Sequence, residues 1–155
     1  MKLFVTAVVA AIALVSGTAR AADDSALMTP VDGFLKATET GDIAAALKFC
    51  GPSQVMVDEF APYHWSGPKA VRTWWAGFEK VSKAGGATDV TLTHGAPSRV
   101  EQDAHHAYVV LPTVIAMKIK GQPLKQDGVL TFALDRSAKG WKLAAVAWAG
   151  PRPTP

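Results

Sequence analysis

The sequence is poor in the features that usually announce chemistry. One cysteine, Cys50, stands among 155 residues, so no internal disulfide can form and no thiolate zinc site can be assembled. No Gly-rich phosphate loop, Gly-x-Ser-x-Gly elbow or His-Glu-x-x-His pair occurs. Basic residues form no block with interleaved aromatics, which argues against nucleic acid as a partner. No apolar run reaches the roughly 20 residues that a membrane-crossing helix needs. What remains is a chain 49% hydrophobic and 19% charged. That is one domain's length, too apolar for disorder, and able to bury about two-thirds of its unfolded surface without staples.

The start of the chain reads as an address. Lys2 precedes the apolar run Leu3–Val15, and Ser16-Gly17-Thr18-Ala19-Arg20-Ala21 follows with Ala19 and Ala21 in an Ala-x-Ala cleavage pattern. Residues 1–21 are therefore expected to be a signal peptide cut after Ala21, giving a periplasmic or secreted protein without a membrane anchor in its mature form. Losing Lys2 and Arg20 takes the basic side chains from 16 to 14 against 13 acidic ones, so most of the +3 formal charge belongs to the leader. In an oxidising compartment Cys50 is expected to be a buried core residue.

Periodicity divides the rest. Residues 22–29 read as a linker. Thr29-Pro30 opens a helix with Val31, Phe34, Leu35 and Thr38 on one face, stopped by Gly41. Asp42 caps a short helix carrying Ile43, Ala46, Leu47 and Cys50. Val55–Phe60 reads as a strand, with Met56, Asp58 and Phe60 on one face and Val55, Val57 and Glu59 on the other. Ser66-Gly67-Pro68 opens a third helix bearing Val71, Trp74, Trp75, Phe78 and Ser82, and Gly85-Gly86 ends it. Beyond Gly86 the period falls to 2, with strands predicted at Asp89–Thr93, Ser98–Glu101, His106–Lys118, Leu124–Leu134 and Trp141–Trp148. Helices followed by strands imply an α+β fold in which three N-terminal helices are wrapped by a curved antiparallel sheet. The domain spans 30–150, and 151–155 is expected to be a loose tail.

This order resembles the nuclear-transport-factor-2-like superfamily, which includes SnoaL-like and ketosteroid-isomerase-like proteins. The resemblance rests on Thr40-Gly41-Asp42-Ile43 between two helices, on Val57–Phe60 through Trp65-Ser66-Gly67-Pro68-Lys69-Ala70-Val71, and on Gly140-Trp141-Lys142-Leu143 at a closing hairpin. It implies a cone with a hydrophobic pocket in its wide end. It also implies a role for Asp58, because the isomerase carries its general base on this strand, at a matching distance before the Ser-Gly of helix three. The isomerase's two oxyanion donors match Phe34 and Leu130 here, and neither can donate a hydrogen bond. Ketosteroid isomerisation is therefore not expected. Asp127, near the second position, reads as a surface or turn residue.

Of the four histidines, His64 alone falls near the expected pocket rim, as a candidate partner for Asp58. His105 and His106 are adjacent, point to opposite faces of a strand, and lie with Glu101 and Asp103 about a predicted hairpin, so no metal site and no cofactor are expected. The expected pocket wall is Phe34, Trp65, Trp75, Thr113, Ile115, Leu130, Phe132, Val146 and Trp148. That wall suits a small hydrophobic molecule. The first reading is an exported binding domain without a complete catalytic set. The alternatives are an isomerase, dehydratase or cyclase using Asp58 as base, and an interaction module forming a homodimer through its open sheet face.

Overall fold

The computed structural model describes residues 16–151. The apolar run of the expected signal peptide lies outside the described residues. Helix α1 spans Ser16–Glu39, α2 spans Ile43–Ala46, and a 3-10 turn covers Leu47–Phe49. Strands β1 (Cys50–Val57) and β2 (His64–Gly67) precede helix α3 (Ala70–Gly85). Then come β3 (Ala87–His94), β4 (Arg99–Gln102), β5 (His106–Ile119), β6 (Gln122–Ser137) and β7 (Gly140–Ala149).

The first helix does not start at Thr29. Residues 22–29 are helical rather than a linker, and Pro30 sits inside α1. An interior proline removes a hydrogen bond and costs about 3 kcal/mol. Leu27 and Val31, on either side of it, are 1% and 0% exposed, and burying two such side chains contributes roughly 1.5–3 kcal/mol each. Tertiary packing thus outweighs the local breaker. The second helix behaves as its cap predicts, with the Ala45 amide donating to Asp42 Oδ1 at 2.9 Å. Cys50 is not on that helix. It is the first residue of β1, and it is half-buried rather than fully buried. Ser66 and Gly67 belong to β2, so α3 opens at Ala70 and closes on Gly86 in the left-handed conformation (φ 70).

The sheet runs β2-β1-β7-β6-β5-β3, with β4 also paired to β5. All pairings are antiparallel except β1 with β7, which run parallel. The helices lie on the concave face. Inward-facing positions alternate along β5, β6 and β7, as a half-buried strand requires. At one end of the sheet these positions form solid core: Val109 and Leu111 of β5, Phe132 and Leu134 of β6, and Leu143 of β7, all 0–1% exposed. At the other end the same rows open into a cavity.

Candidate ligand pocket

The cavity has a volume of about 340 Å³ and lies between α1, α3 and the concave sheet. Its walls are mostly apolar. Phe34 comes from α1; Trp75 and Phe78 from α3; Ile115, Leu130 and Trp148 from β5, β6 and β7. The aromatic residues of α3 are there because a 3.6-residue period puts positions 74, 75 and 78 on neighbouring faces. Their rings pack on one another, with Trp75 and Phe78 centroids 5.3 Å apart and Trp74 stacked on Phe78 at 6.2 Å. Phe60, from the β1–β2 connection, closes the group at 6.4 Å from Phe78.

Six of the nine expected wall residues line this cavity: Phe34, Trp75, Ile115, Leu130, Val146 and Trp148. Trp65, Thr113 and Phe132 do not. Trp65 packs behind the wall against Phe60, with centroids 5.0 Å apart. Thr113 is 2% exposed and donates its hydroxyl back to the Leu111 carbonyl at 2.8 Å. Phe132 is fully buried in the closed end. Thr113 and Phe132 face inward at the depth where the cone has filled.

Asp58 stands at the cavity, but not on a strand, since β1 ends at Val57. Its backbone amide donates to the Tyr63 carbonyl at 3.1 Å, which turns the chain toward β2. Trp74 Nε1 donates to Asp58 Oδ2 at 2.7 Å, and the Glu59 amide donates to Oδ1 at 2.7 Å. Burial pushes the Asp58 carboxyl above its ordinary value; the Trp74 and Glu59 hydrogen bonds act against that push, and the Glu59 charge adds to it. Because the strand has ended, strict alternation lapses, and Glu59 lines the cavity beside Asp58 instead of facing away. His64 is not its partner. It begins β2 opposite Val57, is exposed, and makes no hydrogen bond or ion pair with Asp58 among the described residues.

Several polar wall residues lie outside the sequence expectation, and two of them, Trp74 and Gln126, hold the acidic pair. Trp74, read only as part of an apolar helical stripe, holds Asp58. Gln126 is 2% exposed, and its amide nitrogen donates to Glu59 Oε2 at 2.8 Å and to the Pro151 carbonyl at 2.7 Å. The second bond fixes Pro151, the first residue of the expected loose tail; 152–155 lie outside the described residues. The sequence does carry a signal for Gln126: stepping back by two from Phe132 and Leu130 reaches Gly128 and Gln126 on the same inner face. Asp127, on the outer face, pairs with Lys125 at 3.1 Å, as a surface residue should.

The profile of the SnoaL-like domain matches residues 27–147. The chain belongs to the SnoaL-like family. No curated protein matches it. Among solved structures, this SnoaL-like domain is similar to a hexachlorocyclohexane dehydrochlorinase from Novosphingobium barchaimii (TM-score 0.74, 14% identity, 90% of this chain and 94% of that one). It is also similar to a ketosteroid isomerase-like protein from Erwinia carotovora atroseptica (0.66, 19%, 84% and 98%). A third is a nuclear-transport-factor-2-like protein with a cystatin-like fold from Novosphingobium aromaticivorans (0.68, 15%, 88% and 88%). At these identities the likeness establishes the SnoaL-like domain's α+β cone and no more.

Proposed function

We propose that this SnoaL-like protein is an exported domain that binds a small, largely apolar molecule in the cavity between α3 and the sheet. The observation that carries the reading is the cavity itself: about 340 Å³, within the roughly 300–1,000 Å³ of ordinary ligand pockets, apolar and with few polar groups. Export rests on the Leu3–Val15 run and the Ala19-x-Ala21 pattern. Intact mass of the natively expressed protein checks it, with Ala22 expected as the first residue; retained residues 1–21 would end that part.

Binding has its own test. Trp75 and Trp148 line the cavity, so an apolar ligand should change tryptophan emission. It should also raise the melting temperature, by an amount equivalent to about 2.7 kcal/mol at a ligand concentration 100-fold over Kd. A panel of sterol-like, polyketide-like and fatty ligands that moves neither signal counts against the pocket and favours the interaction-module reading.

A second reading, proton-transfer catalysis with Asp58 as base, is supported by the position of that carboxylate among apolar walls. Its raised pKa sets the sign of the test. The contribution of Asp58 to stability is fully present below the unfolded carboxylate value of about 3.9 and is lost as pH rises through the higher folded value. Asp58→Asn should therefore leave the melting temperature at neutral pH unchanged or slightly higher, while abolishing any proton transfer. NMR titration of the Asp58 carboxyl beside that melt decides the matter; a lowered pKa with a clear loss of stability removes the base.

A further inference from the structure

The polar groups of the cavity are one-sided. Three carboxylates line it, Glu39, Asp58 and Glu59, and no Lys, Arg or His does among the described residues. Three of its donor side chains are already engaged, whereas the buried Trp148 Nε1, also on the wall, has no hydrogen-bond partner among the described residues. Trp74 Nε1 donates to Asp58, and the Thr38 hydroxyl lies against the Phe34 and Leu35 carbonyls of its own helix. Gln126 has two amide protons, directed to Glu59 and Pro151, so its carbonyl oxygen, an acceptor, is the free end of a side chain that is 2% exposed at the cavity wall. Ser82 keeps a hydroxyl, but it stands eight residues along α3 from Trp74, about 12 Å at the helical rise. The same cavity is lined by the aromatic rings of Phe34, Phe60, Trp74, Trp75, Phe78 and Trp148.

We propose that the cavity selects a lipophilic ammonium, a protonated amine on an apolar body, over neutral and anionic molecules of the same shape. The proposal rests on the pocket reading and names its ligand class. The ammonium sits at Asp58 and Glu59, where three N–H donors meet carboxylate and amide acceptors, and the apolar body lies along Trp75, Ile115 and Leu130. Asp58 has no cationic partner among the described residues, and its partial burial disfavours its charge; a bound ammonium supplies the missing countercharge. Aromatic faces attract the same cation through their quadrupoles. A carboxylate ligand meets like charges, with no Lys, Arg or His among the described lining residues to offset them.

Calorimetric titration with naphthylmethylamine, naphthylmethanol and naphthoate at neutral pH tests this, since the three share one apolar body and differ in charge. The amine is expected to bind roughly tenfold tighter than the alcohol, equivalent to about 1.4 kcal/mol, and naphthoate more weakly than either. In Asp58→Asn, and in Glu59→Gln at an exposed position, the amine-to-alcohol ratio should fall toward one, with alcohol binding reporting whether the cavity is intact. Naphthoate or alcohol binding as tightly as the amine, or an unchanged ratio in both variants, overturns the charge selection and leaves an apolar pocket standing. Binding of none of the three, together with a silent ligand panel, overturns the pocket reading as well.

Discussion

Gly128→Ala is expected to lower stability by about 3 kcal/mol, at the upper end of what overpacking a well-filled site costs, and to weaken ligand binding with it. A Cβ at this position would stand 2.5 Å from Cη2 of Trp148 and 2.6 Å from the Ala149 carbonyl oxygen. The second contact is backbone in the neighbouring strand and cannot rotate away. Gly150 crowds the same ring, with its Cβ position 2.8 Å from Trp148 Cζ2. The indole of Trp148 therefore lies in a slot made by two glycines, and that slot sets where the cavity wall stands. Adding a methyl drives either the β6–β7 pairing apart or the indole into the ligand space. Thermal melts and a ligand titration read both effects; a variant that melts with the wild type and binds as well would show that the slot is not a constraint.

Phe132→Ala should act in the opposite manner, with a loss of about 3–5 kcal/mol, the usual range for emptying a buried aromatic site. Ligand affinity, measured well below the melting temperature, should stay within a few-fold of wild type. Phe132 is 0% exposed, pairs across β6 with Val109 of β5 and Val146 of β7, and does not line the cavity. Denaturant unfolding together with titration of the folded variant checks this. Loss of binding with little loss of stability would return Phe132 to the wall.

The contrast between these two positions marks how far the sequence could be read. Alternation identifies the face of a strand, and the inward rows of β5, β6 and β7 are those that Ile115, Leu130, Phe132, Val146 and Trp148 suggest. It carries no information on depth. Along β5 the row passes from closed core at Val109 and Leu111 to cavity wall at Ile115 and Met117, and only the curvature of the sheet and the placement of α3 decide where it changes. That is why Thr113 and Phe132 were expected at the wall and are found in the core. Strand β2 is not legible in the sequence because four residues, His64–Gly67, are too few for a period, and its Gly67 lies at φ 96. The long α1 was hidden by Pro30, whose local preference is overridden by buried neighbours. The family resemblance marks Asp58. It does not mark the donor Trp74, because an indole on an apolar stripe does not declare its N–H.

The parallel pairing of β1 with β7 bears on when this molecule can acquire its shape. Met56 lies beside Val146 and Val57 beside Ala147, so the segment that delivers Asp58 is seated only after the last strand of the chain is available. Closing so long a loop gives little reward until the contacts at both ends form together, and such non-local topologies fold slowly. The hairpins β5–β6 and β6–β7 can assemble first, as neighbours in sequence, leaving the acidic end of the cavity to be completed last. A nascent chain is therefore kept from a finished pocket until synthesis is nearly over.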